Sequence, residues 1–178
     1  FGELLFTHFG LSGPTILSAS AHMRRMGPGQ YTVEIDLKPA LDDAQLDQRL
    51  LRDLEKNKNR NFGNALGELL PQKMIPVVVR RSGIPPEEKC NAVTREQRAS
   101  LRNVLRHFRV EVSGFGPLSG AIVTAGGVDV SSVHPKTMES RLAPGLFFAG
   151  EVLDIDALTG GFNIQMALST GFAAGTHA

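Results

Sequence analysis

The stretch Gly150–Asn163, GEVLDIDALTGGFN, decides how this chain is read. An apolar run, Leu146-Phe147-Phe148-Ala149, stops at Gly150. Glu151, Asp154 and Asp156 follow, and Thr159-Gly160-Gly161 then leads into a helix-like run to the C-terminus. A helix whose first turn carries Gly160, Gly161 and Asn163 presents bare backbone N–H groups, which favour an acceptor or a partial negative charge. Glycine also lets a flat group approach the backbone with no Cβ in the way. Three nearby carboxylates repel a dianion such as phosphate, yet they accept hydrogen bonds from the hydroxyls of a polyol or ribose. The combination favours an uncharged, hydroxyl-bearing ligand with a carbonyl end for the helix terminus. A flavin has both. A second reading of the same residues stands beside it: a strand-to-helix turn, with glycine for tightness and acids as caps.

Working outward, TAGGV (Thr124–Val128) ends another apolar run in Gly126-Gly127, for which a hairpin or bulge glycine is the commoner explanation taken alone. GFGPLSG (Gly114–Gly120) lacks the spacing of a dinucleotide loop, and a strand-like run follows it where a helix is required. THFGLSGP (Thr7–Pro14) gathers hydroxyls, His8 and two glycines before an apparent helix. His8 is a candidate donor or proton carrier there, although a lone histidine is more often structural. On the closing helix, Ala167, Gly171 and Ala174 make a smooth face suited to close packing.

Composition bounds the class. Hydrophobic residues make up 42% and charged residues 21% of 178, which describes a globular chain with a proper core rather than a disordered one. A net charge of +1 gives no global field toward nucleic acid or an anionic membrane. The single cysteine, Cys90, excludes an internal disulfide and fits a reducing, cytoplasmic compartment. No apolar run nears the roughly 18 residues of a membrane span. The five histidines show no paired ligand spacing, so no metal site is expected. Neither a nucleophile elbow nor a phosphate-binding loop is present. The chain opens on Phe1-Gly2-Glu3, inside what reads as a strand, and an excised piece of a longer protein is expected.

Along the chain, ELLFTHF and YTVEIDL read as strands, with Val33, Ile35 and Leu37 alternating against polar neighbours. SGPTILSASAHMRRM between them reads as a helix, with Ser12 near its start and Pro14 in its first turn. Residues 40 to about 107 are helical in pattern. Leu46, Leu50 and Leu54 repeat every four, GNALGELL sets Leu66, Leu69 and Leu70 on one face, and PQKMIPVVVRRSG is taken as helix against the strand preference of its valines. Thr94 to Gln97 form a capping-box pattern that opens the clearest helix. Short strands are expected after that, at RVEVS, AIVTA, MESRL and LFFA, before the closing helix. Arg95, Arg98, Arg102, Arg106 and Arg109 fall within one arc of the capped helix. A solvated face explains such a stripe more often than RNA does, and no aromatic interleaves with it.

The segments GELLFTHFGLSGPTIL and TAGGVDVSSVHPKTMESRLAPGLFFAGEVLDIDALTGGFNIQ, with the helical stretch between them, resemble the BaiN-type family of FAD-dependent, NAD(P)-linked oxidoreductases across essentially the whole chain. The resemblance implies an α+β fragment: a β-rich segment with an inserted helical subdomain, then a strand–turn–helix segment completing a Rossmann-like FAD-binding domain. Residues 1–118 would form the insert domain, β-rich over 1–39 and about 108–118 and helical over 40–107. Residues 119–178 would return to the FAD-binding domain. Cofactor contacts are then expected from Thr124, Gly126, Gly127, Gly150, Glu151, Asp154, Thr159, Gly160, Gly161 and Asn163, with His8 as the catalytic candidate. FAD is the implied cofactor, NAD(P)H the electron donor and a small molecule the substrate. The family's G-x-G-x-x-G is absent from this chain. The competing expectation is a non-catalytic module that uses the Arg-rich helix 95–109 to hold RNA or a protein partner.

Overall fold

The computed structural model describes residues 2–23, 25–27 and 29–178. It is a mixed α+β chain with two two-stranded antiparallel sheets and, among the described residues, no closed barrel. Contacts divide it into two compact units, Gly29–Val112 and the pair of segments Phe1–Pro28 and Ser113–Ala178.

In Gly29–Val112, strand β3 (Tyr31–Ile35) pairs with β4 (Phe108–Val112), from Tyr31 opposite Val112 to Ile35 opposite Phe108. Three helices pack beside this ribbon: α2 (Asp43–Lys56), α3 (Ile75–Ser82) and α4 (Arg95–Arg106). Each starts or stops where local chemistry dictates. Asp42 caps α2 by accepting from the Gln45 N–H at 2.7 Å, and the Gln45 side chain accepts from the Asp42 N–H at 2.9 Å. Thr94 and Gln97 make the same reciprocal pair on α4, as the capping-box pattern implies. Gly83, in the left-handed region at φ 73°, ends α3. The valines of α3 lose their strand preference because Val78 and Val79 drop into the core with Leu46, Leu50, Phe62, Leu101 and Leu105. Burying each such side chain contributes about 2 kcal/mol, more than a local propensity of a few tenths. Thr94→Ala is expected to lower stability by about 1 kcal/mol through loss of the cap, read as a downward shift of the urea midpoint.

The GNALGELL helix does not form. Two 3-10 turns, Phe62–Asn64 and Leu66–Glu68, take its place. Leu66, Leu69 and Leu70 are all buried, but Gly63, Gly67 and Pro71 favour turns over a continued helix.

In the other unit, β1 (Leu5–Phe6) and β2 (Leu11–Ser12) form a small hairpin, and helix α1 follows over Pro14–Ser20. The expected ELLFTHF strand is cut to two residues because Thr7 and Gly10 close a turn, with the Thr7 N–H donating to Gly10 O at 2.8 Å. Gly13, not Ser12, is the N-cap of α1, and the helix stops seven residues in. Of the expected helical stretch beyond it, Arg24 lies outside the described residues. No strand forms at AIVTA, and MESRL and LFFA take part only in the isolated bridges Val133↔Ser140 and Glu139↔Phe147. A strand is held by a neighbour's ladder, and among the described residues these segments meet single bridging positions. Among the described residues no parallel ladder of the expected Rossmann type forms, and Val128↔Leu153 is an isolated parallel bridge. Helix α5 (Phe162–His177) closes the chain with no buried residue, and Phe162, Ile164, Leu168 and Phe172 are exposed.

Candidate functional site

The glycine turns singled out in the sequence are tied to one another. The Val128 N–H donates to Val152 O at 2.8 Å, and the Asp154 N–H donates to Val128 O at 2.9 Å, which fastens TAGGV alongside the chain after Gly150. The Gly126 N–H donates to Asp154 Oδ1 at 3.0 Å. One carboxylate oxygen of Asp154 therefore fastens a loop. Gly127 sits at φ 146° with its α-carbon pressed on the opposite chain, where a Cβ would lie 2.5 Å from Val152 O. This glycine is needed for contact between backbones.

Gly150 takes φ 74° and opens a 3-10 turn, Gly150–Val152. Its N–H donates at 3.0 Å to Thr170 Oγ1 on α5, which itself donates to Met166 O at 2.8 Å. Further along, Asn163 clamps the loop before its own helix: Oδ1 accepts from the Ala157 N–H at 2.8 Å and Nδ2 donates to Ala157 O at 2.9 Å. The Asn163 side chain thus shapes the loop, and only its backbone faces the helix start. Gly161, left-handed at φ 91°, is the N-cap of α5 and supplies no side-chain acceptor to the first turn. A Cβ at Gly126 or at Gly161 would meet nothing within 4 Å, so both turns present open backbone. Glu151 and Thr124 are exposed and carry no hydrogen bond among the described residues.

Thr159 Oγ1 and Ser18 Oγ lie 3.0 Å apart, which joins the Gly160 turn to α1. Beside them is an open depression of about 490 Å³, lined by Gly2, Glu3, Pro14, Thr15, Ser18 and Thr159. His8 is exposed on the β1–β2 turn, its ring edge-on to Phe9 at 5.1 Å. No hydrogen bond joins it to the glycine turns. Ser18 and Thr170 were not singled out from the sequence. A serine and a threonine inside apolar helices give no local signal, because their partners lie 141 and 20 residues away.

The arginine stripe has a different setting from the one expected. Arg109 is on β4, past the end of α4. Arg98 donates to both oxygens of Asp47, at 2.9 and 3.3 Å, and Arg102 stands 3.6 Å from the same carboxylate. The Arg98 hydrogen bond holds the Asp47 carboxyl below the usual range. Arg106 donates to Asp36, Asp43, Lys38 O and Leu41 O. Glu34 bonds His107 at 2.7 Å and Arg109 at 2.6 Å, and those two bonds, His107 first, lower its pKa. Four of the five guanidiniums are thus balanced by carboxylates of the same unit.

Residues 1–123 match the model of the HI0933-like protein barrel and H2TH domain. The chain is 36% identical over 171 residues to a ribosomal RNA dihydrouridine synthase of Escherichia coli (strain K12), covering 96% of this chain and 41% of that protein. It is 32% identical over 173 residues to the Haemophilus influenzae protein of the same name, covering 97% and 41%. It is 30% identical over 182 residues to a 3-dehydro-bile acid delta(4,6)-reductase of Clostridium scindens, covering 99% and 44%. The chain therefore spans about two-fifths of the length of these relatives. Among the described residues, no helix is long and apolar enough to cross a membrane.

Proposed function

Because this chain belongs to the HI0933-like protein barrel and H2TH domain family, we propose that it forms part of an FAD-dependent oxidoreductase that saturates a carbon–carbon double bond conjugated to a carbonyl, with uridine in RNA as the substrate class. The chemistry shared by the relatives' names supports the reaction. Dihydrouridine is uridine with its ring double bond reduced, and the bile-acid relative is a reductase of double bonds next to a keto group. Either reduction adds a hydride to the carbon remote from the carbonyl and a proton to the neighbouring carbon. The two relatives of higher identity favour RNA over a steroid.

The observation that carries the reading is the knot of glycine turns around the start of α5. Open backbone at Gly126 and Gly161 fits a flat ring system, and the uncapped first turn of α5 offers N–H donors to a carbonyl edge. Glu151 is free to accept from ribityl hydroxyls. FAD held by these turns would supply hydride-transfer chemistry, with NAD(P)H as the proposed electron donor. The chain's own residues do the rest. Asp154, Asn163 and Thr170 hold the turns in register, and Thr15, Ser18 and Thr159 bring hydroxyls to the depression, where they can donate to the substrate carbonyl. His8 is the candidate proton source, and His8→Ala should slow turnover without changing flavin affinity. The ion-paired state of the arginine stripe weighs against a module that binds through α4.

A fluorescence titration with FAD, FMN and riboflavin tests this reading. Saturable quenching is expected for wild type, with at least tenfold weaker binding in Gly161→Val, which forces a β-branched residue into the left-handed region. Equal flavin affinity in the two proteins removes the assignment of Gly160–Asn163 to the cofactor.

A further inference from the structure

On α4, Arg98, Arg102 and Arg106 are accounted for by Asp47, Asp36 and Asp43, and a separate group of cations in Gly29–Val112 lies in one short run. The six residues Lys56-Asn57-Lys58-Asn59-Arg60-Asn61 alternate cation and amide, with no acid among them. Lys56 is explained by the end of α2 and by Glu68, 2.6 Å away. Lys58 and Arg60 lie beyond the helix, where its dipole no longer accounts for them. Lys58 meets only Glu55, at 3.1 Å, with both side chains more than half exposed, an arrangement of little energetic weight. Among the described residues, Arg60 has no carboxylate within 4 Å.

This run is a built turn. The Arg60 N–H donates to Asn57 O at 2.7 Å, the Cys90 N–H to Arg60 O at 3.1 Å and the Asn91 N–H to Lys58 O at 3.3 Å. An antiparallel bridge pairs Asn61 with Lys89, and Lys89 Nζ donates to Asn59 O at 3.2 Å. Phe62, wholly buried, anchors the end of the turn in the core. The backbone is fixed while Lys58, Asn59, Arg60, Lys89 and Asn91 stay exposed. Ammonium and guanidinium groups meet phosphates, and amides can both donate to and accept from a ribose 2′-hydroxyl. No exposed aromatic lies in the run, so it has nothing on which to stack bases.

We propose that the turn Lys56–Asn61, with Lys89 and Asn91 beside it, is a surface that grips the sugar–phosphate backbone of structured RNA. The proposal rests on the reading of RNA as the substrate class and names the part of this chain that holds it. Binding is tested by fluorescence anisotropy with a short labelled RNA hairpin, between about 50 and 200 mM salt. The triple variant Lys58→Ala/Arg60→Ala/Lys89→Ala is expected to bind roughly tenfold or more weakly. Its salt dependence should flatten by about one unit of slope for each phosphate contact removed. A Lys58→Arg/Arg60→Lys swap should retain binding, and unchanged melting of the triple variant shows that the fold is intact. Duplex DNA of the same sequence should compete poorly, since it lacks the 2′-hydroxyl. If the triple variant binds like wild type while Arg102→Glu weakens binding, the surface is α4 and this proposal fails. If wild type binds flavin but no RNA at low salt, the proposal fails and the cofactor assignment stands. RNA binding without flavin binding has the reverse meaning.

Discussion

Gly127→Ala is expected to abolish saturable flavin quenching while the helical unit Gly29–Val112 keeps its cooperative melt. The added Cβ would lie 2.5 Å from Val152 O, 2.9 Å from Leu153 C and 3.0 Å from Asp154 N. All three are backbone atoms, so no side chain can swing aside to make room. The residue also sits at φ 146°, where an L side chain is strained before any contact is counted. Relief requires the two segments to part. That would break the Val128–Val152 and Asp154–Val128 hydrogen bonds and pull Gly126 from the Asp154 carboxylate. The cost is on the order of several kcal/mol, at the upper end of what single substitutions cause. Flavin titration with circular dichroism on the same sample reads both halves of the expectation. Retained flavin affinity in Gly127→Ala would mean that the turns joined here do not hold the cofactor.

The second large effect belongs to the other unit. Phe62→Ala should cost about 3–5 kcal/mol, because the ring is completely buried in the core cluster that also holds Leu46, Leu50, Leu101 and Leu105. For a unit of this size the melting temperature should fall by roughly 12 °C or more. The position also ends the Lys56–Asn61 turn, with its N–H donating to Glu88 O at 2.8 Å. RNA binding should therefore fall along with the fold. A loss below about 1 kcal/mol would show that the neighbouring 3-10 turns collapse into the space.

Local signals carried the helical unit. The leucine spacing of α2, the Thr94 capping box and the alternation in YTVEI each act within a few residues, and the structure has an element at each place. GNALGELL misled because hydrophobic spacing records burial, and successive 3-10 turns can bury Leu66, Leu69 and Leu70 as well as a helix can. The arginine stripe misled for a related reason. Spacing showed that the guanidiniums share a side of α4, but their acids come from positions 34 to 47, far away in the chain.

For the candidate site, the sequence alone determined that tight glycine turns and acids stand before a closing helix, since a run of Gly and a change of periodicity need no partner to be legible. Only the tertiary structure decided what each residue does there. Asp154 spends one oxygen on Gly126, Asn163 clamps Ala157, Thr170 receives the Gly150 N–H, and Ser18 meets Thr159. The same limit applies to the strands after Val112. A β-strand exists through its neighbour's hydrogen bonds, so AIVTA can carry strand propensity and still form none, whereas a helix closes its bonds within itself.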